Sequence, residues 1–169
     1  IALGYDVKAN GASSVAVGNG SVASGESSFA MGINSTTASG SGSFAGGNGA
    51  KAQGNNSIAL GHNATASGVT SAAFGLDTTA AGQYSFTQGY GTNATNTSEA
   101  ALGQYNLPVA SAIFQVGDGN TSSSQSNLIS AIKGGIPTDS WMAIGSGTVP
   151  PAQENNERLR VYGRINATS

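Results

Sequence analysis

The most constraining feature of the sequence is a five-residue pattern that recurs with a 14-residue period. The pattern is serine, apolar residue, alanine, apolar residue, glycine, as in Ser-Ile-Ala-Leu-Gly at residues 57–61. The closing glycines keep this spacing throughout, except that the third period is longer by a single residue. These closing glycines are Gly4, Gly18, Gly32, Gly47, Gly61, Gly75, Gly89 and Gly103. Such regular spacing predicts a repeat protein in which each period forms one structural unit.

A second short element, alanine-x-glycine, lies between consecutive copies of the pattern, as in Ala-Ser-Gly at residues 66–68. In its seventh copy Asn96 replaces the glycine. Asparagine tolerates left-handed backbone angles better than most residues, so we expect a left-handed turn at Asn96. One period accommodates two short strands and two turns, but no crossover helix. The sequence therefore predicts an all-β parallel solenoid, with coils stacked about 4.8 Å apart.

The pattern also predicts which side chains face inward. In a strand Ser57 and Ala59 share one face, while Ile58 and Leu60 share the other. A coil with two strands and tight turns has a thin interior, so we expect the small residues inside and the larger ones outside. The reverse assignment remains an alternative at this point.

The larger side chains would form an apolar stripe along the solenoid. Soluble proteins rarely expose such a stripe, and burying each of these side chains is worth roughly 1.5–3 kcal/mol. We therefore expect an obligate homo-oligomer, with a trimer favoured, rather than cover by the C-terminal region. The predicted interface residues are Val15, Val17, Phe29, Met31, Phe44, Ile58, Leu60, Phe74, Phe86 and Leu102.

Composition excludes several classes of protein. Charged residues make up 8% of the 169 residues, and the formal net charge is −2. Without a basic stripe, nucleic acid is not an expected partner. The sequence contains no cysteine, which excludes disulfides and thiolate metal sites. No apolar run approaches the roughly 20 residues of a membrane-spanning helix, so no direct membrane insertion by this segment is expected.

The repeats resemble the head of the YadA-like trimeric autotransporter adhesins. The resemblance rests on the Ser-Val-Ala-Val-Gly and Ala-Ser-Gly elements at 14-residue spacing, and it covers residues 1–105. It implies a left-handed parallel β-roll in each chain and three rolls packed side by side. The basic neck motif and coiled-coil stalk of those adhesins are not visible after the last coil.

The remaining residues, 106–169, are expected to form a small C-terminal β module, because the periodicity is expected to stop after Gly103. Strand patterns occur at 111–116, 127–132, 141–145 and 158–165. Residues 142–147, Pro151 and 159–169 resemble a junction found in trimeric phage tail fibres, which precedes an endosialidase-type intramolecular chaperone. This resemblance implies chaperone cleavage after Ser169.

Catalytic and cofactor sites are not predicted. The single histidine, His62, lies in a predicted turn, and the carboxylates are scattered along the chain. A lone histidine in a turn is ordinarily a surface residue. In a trimer, however, three copies of His62 could converge on the axis and bind a metal ion.

Together these features favour a non-enzymatic trimeric attachment fibre that binds a glycan or protein receptor on a host surface. A phage or virus tail-fibre tip is the first hypothesis, so the expected location is a virion or the extracellular space. The head of a bacterial trimeric adhesin, on the bacterial outer surface, is the alternative, and a polysaccharide-cleaving tailspike is a third.

Candidate receptor contacts come from irregular or aromatic positions. The lengthened third period contributes Asn34 and Thr36, although an insertion there could equally be a tolerated bulge. Tyr90 and Trp141 are aromatic residues outside the repeat core that could stack on sugars. Trp141 could instead form the core of the C-terminal module.

Overall fold

Each 14-residue period forms one coil that contains a long strand and a two-residue strand. The structure, a computed structural model, describes residues 1–34, 36–133, 141–146 and 159–161, with residues 141, 146 and 159–161 described by their backbone. In chain order, the strands are β1 (Ala2–Tyr5), β2 (Lys8–Ala9), β3 (Val15–Asn19), β4 (Val22–Ala23), β5 (Phe29–Ile33), β6 (Thr37–Ala38), β7 (Phe44–Asn48), β8 (Lys51–Ala52), β9 (Ile58–His62), β10 (Thr65–Ala66), β11 (Ala72–Leu76), β12 (Thr79–Ala80), β13 (Phe86–Tyr90), β14 (Asn93–Ala94), β15 (Ala100–Gln104), β16 (Ala112–Asp118), β17 (Asn127–Ile132), β18 (Trp141–Ser146) and β19 (Leu159–Val161).

The strands form two sheets. The first sheet has the order β1-β3-β5-β7-β9-β11-β13-β15-β16-β17-β18-β19, and the second has the order β14-β12-β10-β8-β6-β4-β2. Neighbouring coils pair in parallel with a 14-residue offset, so that Ala59 lies opposite Ala73 and Gly61 opposite Gly75. The predicted solenoid is therefore confirmed. No helix in the described part of the chain has the length and hydropathy to cross a membrane.

The interior of the solenoid is built from alanine. Ala59 of the first sheet and Ala66 of the second have no exposed surface, and equivalent alanines of other coils join them in one core cluster. Ser71 also faces inward, and its hydroxyl donates a hydrogen bond to the carbonyl of Gly68 at 2.7 Å. The predicted inward orientation of the small residues is confirmed. Since each buried methyl contributes only about 0.8 kcal/mol, the roll gains little from its own core.

Both glycine columns are required by the close stacking of coils. A Cβ added at Gly61 would lie 2.0 Å from the carbonyl oxygen of Gly75, and one at Gly82 would lie 1.9 Å from that of Asn96. Gly61 itself has a positive φ of 139°, and non-glycine residues with left-handed φ precede the serine or lie two positions after the closing glycine, as at Asn56 (φ 55°) and Asn63 (φ 54°).

The predicted left-handed turn at Asn96 is wrong, because Asn96 does not adopt a positive φ. Asn96 follows β14, the last strand of the second sheet, so no glycine of a further coil stacks on it. Its side chain has room there, and its amide donates a hydrogen bond to the carbonyl of Val109 at 2.8 Å. The glycine is replaced because the close approach ends, and not because the turn is left-handed.

The first sheet continues beyond the expected end of the repeats. β16 pairs in parallel with β15, again with a 14-residue offset that places Gly117 opposite Gly103. The expectation that periodicity stops after Gly103 is therefore wrong by one coil. β17 and β18 then add in antiparallel fashion, and β19 adds in parallel to β18. Three of the four predicted C-terminal strands are present, and the fourth, predicted at 158–165, is described at 159–161, where it forms β19. The division into domains at 105/106 remains a prediction.

Candidate functional site

The outward face of the first sheet carries two columns of mostly apolar side chains. In-register pairing places Phe29 beside Phe44, with ring centroids 5.1 Å apart. Phe74 and Phe86 of adjacent strands make a similar contact at 5.7 Å. Ring pairs at these distances stabilise each other and the neighbouring strands. The result is a continuous apolar stripe that runs across the coils.

All ten predicted interface residues lie on this outward face. In the single chain Met31 is 47% exposed and Ile58 is 37% exposed, while the other eight are half-buried. The eight are Val15, Val17, Phe29, Phe44, Leu60, Phe74, Phe86 and Leu102. Their contact with other copies of the chain remains a prediction.

The stripe also contains residues that the sequence pattern did not reveal. Phe114 continues the column of Ala100, and Val116 continues the column of Leu102. The signal was Phe-Gln-Val-Gly at 114–117, which lies one 14-residue period after Ala-Ala-Leu-Gly at 100–103. It was missed because Gln115 stands where the pattern has alanine.

The outward face of the second sheet is mainly polar. Lys8 and Lys51 are exposed, and the remaining outward residues are half-buried. The outward residues of this sheet are Lys8, Val22, Thr37, Lys51, Thr65, Thr79 and Asn93. Threonine, lysine and asparagine are typical of a solvated surface.

The two receptor candidates in the lengthened third coil differ in their exposure to solvent. Asn34 is exposed, and its amide donates a hydrogen bond to Oδ1 of Asn48 at 2.9 Å. Thr36 is fully buried, with its hydroxyl 3.1 Å from the carbonyl oxygen of Ile33 and 2.8 Å from that of Gly47. The prediction that Thr36 contacts a receptor is therefore wrong, because its side chain points into the roll.

Tyr90 is part of an aromatic pair at the end of β13. It is 40% exposed, and its ring centroid lies 4.6 Å from that of Tyr105 in the next coil. Gly91 makes room for this arrangement, because a Cβ there would lie 2.5 Å from the ring of Tyr105. The hydrogen bond with Tyr90, followed by burial and the negative charge of Asp77, raises the pKa of Tyr105 to about 12. The phenol of Tyr105 is therefore a neutral hydrogen-bonding group at physiological pH.

Two further candidates lie outside the described residues. Trp141 begins β18, but its side chain is not among the described groups. Ser169, the expected cleavage position, also falls outside the described ranges.

A buried carboxyl lies where the repeats give way to the C-terminal strands. Glu99 takes the place of the pattern's serine and is 1% exposed. Its Oε2 accepts hydrogen bonds from the amides of Thr95 and Asn96, both at 2.8 Å, while Oε1 has no partner. Burial raises the pKa of Glu99, although the donors of Asn96 and Thr95 oppose the shift. The carboxyl is a buried structural group without access to a ligand.

Asn106 closes the free edge of the second sheet. Its Oδ1 accepts a hydrogen bond from the backbone amide of Asn93 at 2.6 Å, and its Nδ2 donates to the carbonyl of Asn93 at 2.8 Å. Nδ2 also donates to Oε1 of Gln115 at 2.7 Å. A side-chain amide thus takes the place of the next strand, which satisfies an edge that would otherwise be open to pairing.

His62 is the last residue of β9 and is exposed. Among the described residues, no three or more histidine, aspartate or glutamate side chains are close enough together to hold a metal ion. The convergence of three His62 copies on an axis remains a prediction.

The sequence of the solenoid matches a known protein family. The family model described as YadA head domain repeat (2 copies) matches residues 1–21, 9–35, 23–50, 38–64 and 66–86. These segments cover half of the chain, all within the solenoid, and they confirm the first of the two resemblances. No curated protein sequence matches the chain. The tail-fibre resemblance of the C-terminal residues remains a prediction. The chain belongs to the family defined by the YadA head domain repeat.

Proposed function

We propose that the chain is part of a non-enzymatic, trimeric attachment fibre that binds a host surface outside the cell. The observation that carries this proposal is the apolar stripe on the outward face of the first sheet. Heads built from YadA-type repeats are extracellular adhesins, and a solenoid of this kind is typical of binding and structural proteins. Both facts support an adhesive rather than a catalytic role.

Association around a common axis accounts for the distribution of apolar residues. The interior of each roll is lined by alanine, whereas Phe29, Phe44 and Phe74 face outward. Burying these larger side chains between copies would therefore add to the small contribution of the alanine core. Three rolls around one axis cover all three stripes and leave the polar second sheets facing solvent.

Receptor binding would occur at the ends of the first-sheet strands and in the turns that follow them, outside the two apolar columns. Asn34 and Tyr90 remain surface candidates. Tyr90 offers an aromatic surface and, with Tyr105, hydroxyl groups, which suit a sugar or a polar protein surface. Three copies in one fibre would raise the avidity of a weak individual contact.

Two biological settings share this fold and chemistry. The YadA-type repeats favour the head of a bacterial trimeric adhesin. The sequence at 142–169 favours the tip of a phage or virus tail fibre. The reading frame after Ser169 distinguishes them, because an intramolecular chaperone supports the tail fibre and a coiled-coil stalk supports the adhesin.

A polysaccharide-cleaving spike is the weaker alternative. Glycoside hydrolysis ordinarily needs two carboxylates within about 5–10 Å of each other around the substrate. The carboxyl of Glu99 is 1% exposed, so it does not reach a bound chain.

Light scattering in native buffer, followed by binding of the labelled protein to bacterial cells and to matrix-coated surfaces, tests the proposal. We expect a mass near three chains, and saturable binding to one of the two surfaces. A mass of 16.5 kDa, that of one chain, would sink the trimer. Release of reducing sugar ends from capsular polysaccharide would instead establish the spike.

A further inference from the structure

The apolar stripe does not end with the head repeats but continues across the C-terminal strands. Beyond Val116, the register places Ile129 of β17 beside Val116 and Ile144 of β18 beside Ile129. In the other column, Ala131 lies beside Phe114, and Met142 lies beside Ala131. Ile129, Ala131 and Ile144 are half-buried, and Met142 is exposed. The two columns of the stripe therefore continue with apolar residues from β16 through β18.

The antiparallel pairing of β16 with β17 is regular over the residues of the stripe, from the pair Phe114–Ala131 to the pair Val116–Ile129. The register between β16 and β17 shifts between Ala112 and Phe114, and again between Val116 and Gly117. A shift of one residue reverses every side chain of a strand relative to its partner. Because both shifts lie outside the segment Phe114–Val116, the unbroken register within it keeps Ala131 and Ile129 in the columns of Phe114 and Val116.

The inward side of the C-terminal strands is largely polar, so it does not form an apolar core against which the larger side chains could pack. Gln115, Asn127 and Ser130 are buried there. The amide of Gln115 donates a hydrogen bond to the carbonyl of Leu107, and so does that of Asn127, both at 2.8 Å. Polar contacts therefore hold this side of the strands together.

The described apolar cluster of this region is small, and it consists of Val109, Ala112 and Ile132. Phe114, Val116, Ile129 and Ile144 lie outside this cluster, on the outward face of the sheet. With only the described residues around them, these four side chains stay half-buried on that face.

We propose that β16–β18 belong to the same interface between copies of this chain as the repeats, so that the oligomer closes along the whole first sheet. This proposal rests on the oligomer of the proposed function. The two columns carry no charged side chain from β3 to β18, and Gln88 is their one polar residue among the described positions. Ten strands at about 4.8 Å give a stripe roughly 43 Å long.

A second copy of the chain is the occupant that fits this stripe. Rotation about an axis parallel to the stack places each strand at the height of the same strand in the next copy. The match then holds for every coil and for the hairpin, without any gap between β15 and β16. A partner without this repeat would not follow the spacing over the whole length.

Single cysteines test the proposal, because the chain contains none. Ala72→Cys reports on the repeats and Ala131→Cys on the C-terminal strands. Both alanines are half-buried on the outward face of the first sheet and belong to the same column. Ala81→Cys is the control, because Ala81 is exposed and follows β12 of the second sheet. Each replacement adds one sulfur atom, so we expect the fold to be retained.

The readout is covalent cross-linking of the folded protein by a short bis-maleimide at low protein concentration. We expect Ala72→Cys and Ala131→Cys to give linked chains within the oligomer, and Ala81→Cys to remain unlinked. Cross-linking of Ala72→Cys without Ala131→Cys would overturn this inference and leave the proposed oligomer standing. A monomeric protein, or an oligomer in which neither position cross-links, would overturn both, and equal cross-linking of Ala81→Cys would also count against the inference.

Discussion

In both sheets of the solenoid the inward face is lined by alanine. The outward face is apolar in the first sheet and mainly polar in the second. Ala59 and Ala66, one from each sheet of the same coil, are completely buried. On the outward side, Leu60 of the first sheet contrasts with Thr65 of the second. Since the requirements of coil stacking are shared by both sheets, they do not explain this difference. This difference is what we expect if, as proposed, the first sheet packs against other copies of the chain and the second faces water.

The most direct test of this difference is to introduce a negative charge on the outward face of each sheet, in the same coil. Leu60→Asp places a carboxylate in the middle of the apolar stripe, where an unpaired buried charge is costly. We expect the oligomer to dissociate to chains of 16.5 kDa, as measured by light scattering. Thr65→Asp is the matched control, and it should leave the oligomer intact. An unchanged mass for Leu60→Asp would remove this face from the interface.

The inward faces should respond alike, because both are packed with alanine. Ala59→Val and Ala66→Val each add two methyl groups to a thin interior, and such overpacking typically costs about 1–3 kcal/mol. We expect both variants to lower the midpoint of thermal unfolding by similar amounts. Ala72→Val, on the half-buried outward face, should have a smaller effect. A harmless Ala66→Val would mean that the second sheet is packed more loosely than its burial indicates.

The buried carboxyl of Glu99, at the end of the repeats, predicts a pH dependence of the stability. Because burial raises the pKa of its carboxyl, the folded chain binds the proton more tightly than the unfolded chain. The stabilisation is fully present below the unfolded pKa near 4.5, and it is lost as pH rises through the raised folded pKa. Each unit of pKa shift corresponds to about 1.4 kcal/mol.

Glu99→Gln tests this dependence and keeps an oxygen acceptor for Thr95 and Asn96. Its amide nitrogen takes the place of Oε1, which has no hydrogen-bond partner. We expect the variant to be more stable than the parent at neutral pH, with the difference shrinking toward about pH 4, as measured by urea unfolding at several pH values. A difference that grows on acidification would contradict the raised pKa.

The smallest effect is expected on the outward face of the second sheet. Lys51→Glu reverses the charge of an exposed side chain in β8. Surface substitutions of this kind usually change the free energy of unfolding by no more than about 0.5 kcal/mol. We expect the mass and thermal midpoint to stay unchanged. Loss of the oligomer in this variant would place the interface between copies on the second sheet and contradict the proposal.

The repeated part of the fold was predictable because each position of the coil has one dominant physical requirement. Alanine fits the thin interior, and glycine fits the close approach of coils, because a Cβ at Gly61 would lie 2.0 Å from the carbonyl oxygen of Gly75. The ten outward residues follow from the same alternation. Their partner does not, because a sequence pattern states that a face is apolar and not what covers it.

The errors occurred where one coil departs from the others. The sequence pattern does not predict the coil at residues 104–117, because Gln115 replaces alanine and Pro108 lies 14 residues after Ala94. Thr36 lies in the lengthened period, which favours a surface position, but its side chain is fully buried inside the roll. In both cases the polar side chain is satisfied by backbone carbonyls of neighbouring segments, and a single sequence does not reveal those contacts.

Interchangeable coils also make the length of such a fibre easy to change. Each coil pairs with the next through the same register and the same glycine contacts, so a duplicated or deleted period leaves the cross-section unaltered. The reach of the fibre then changes in steps of about 4.8 Å per coil. Unequal recombination between repeats would thus change the distance between the two ends of the roll without redesign of the fold.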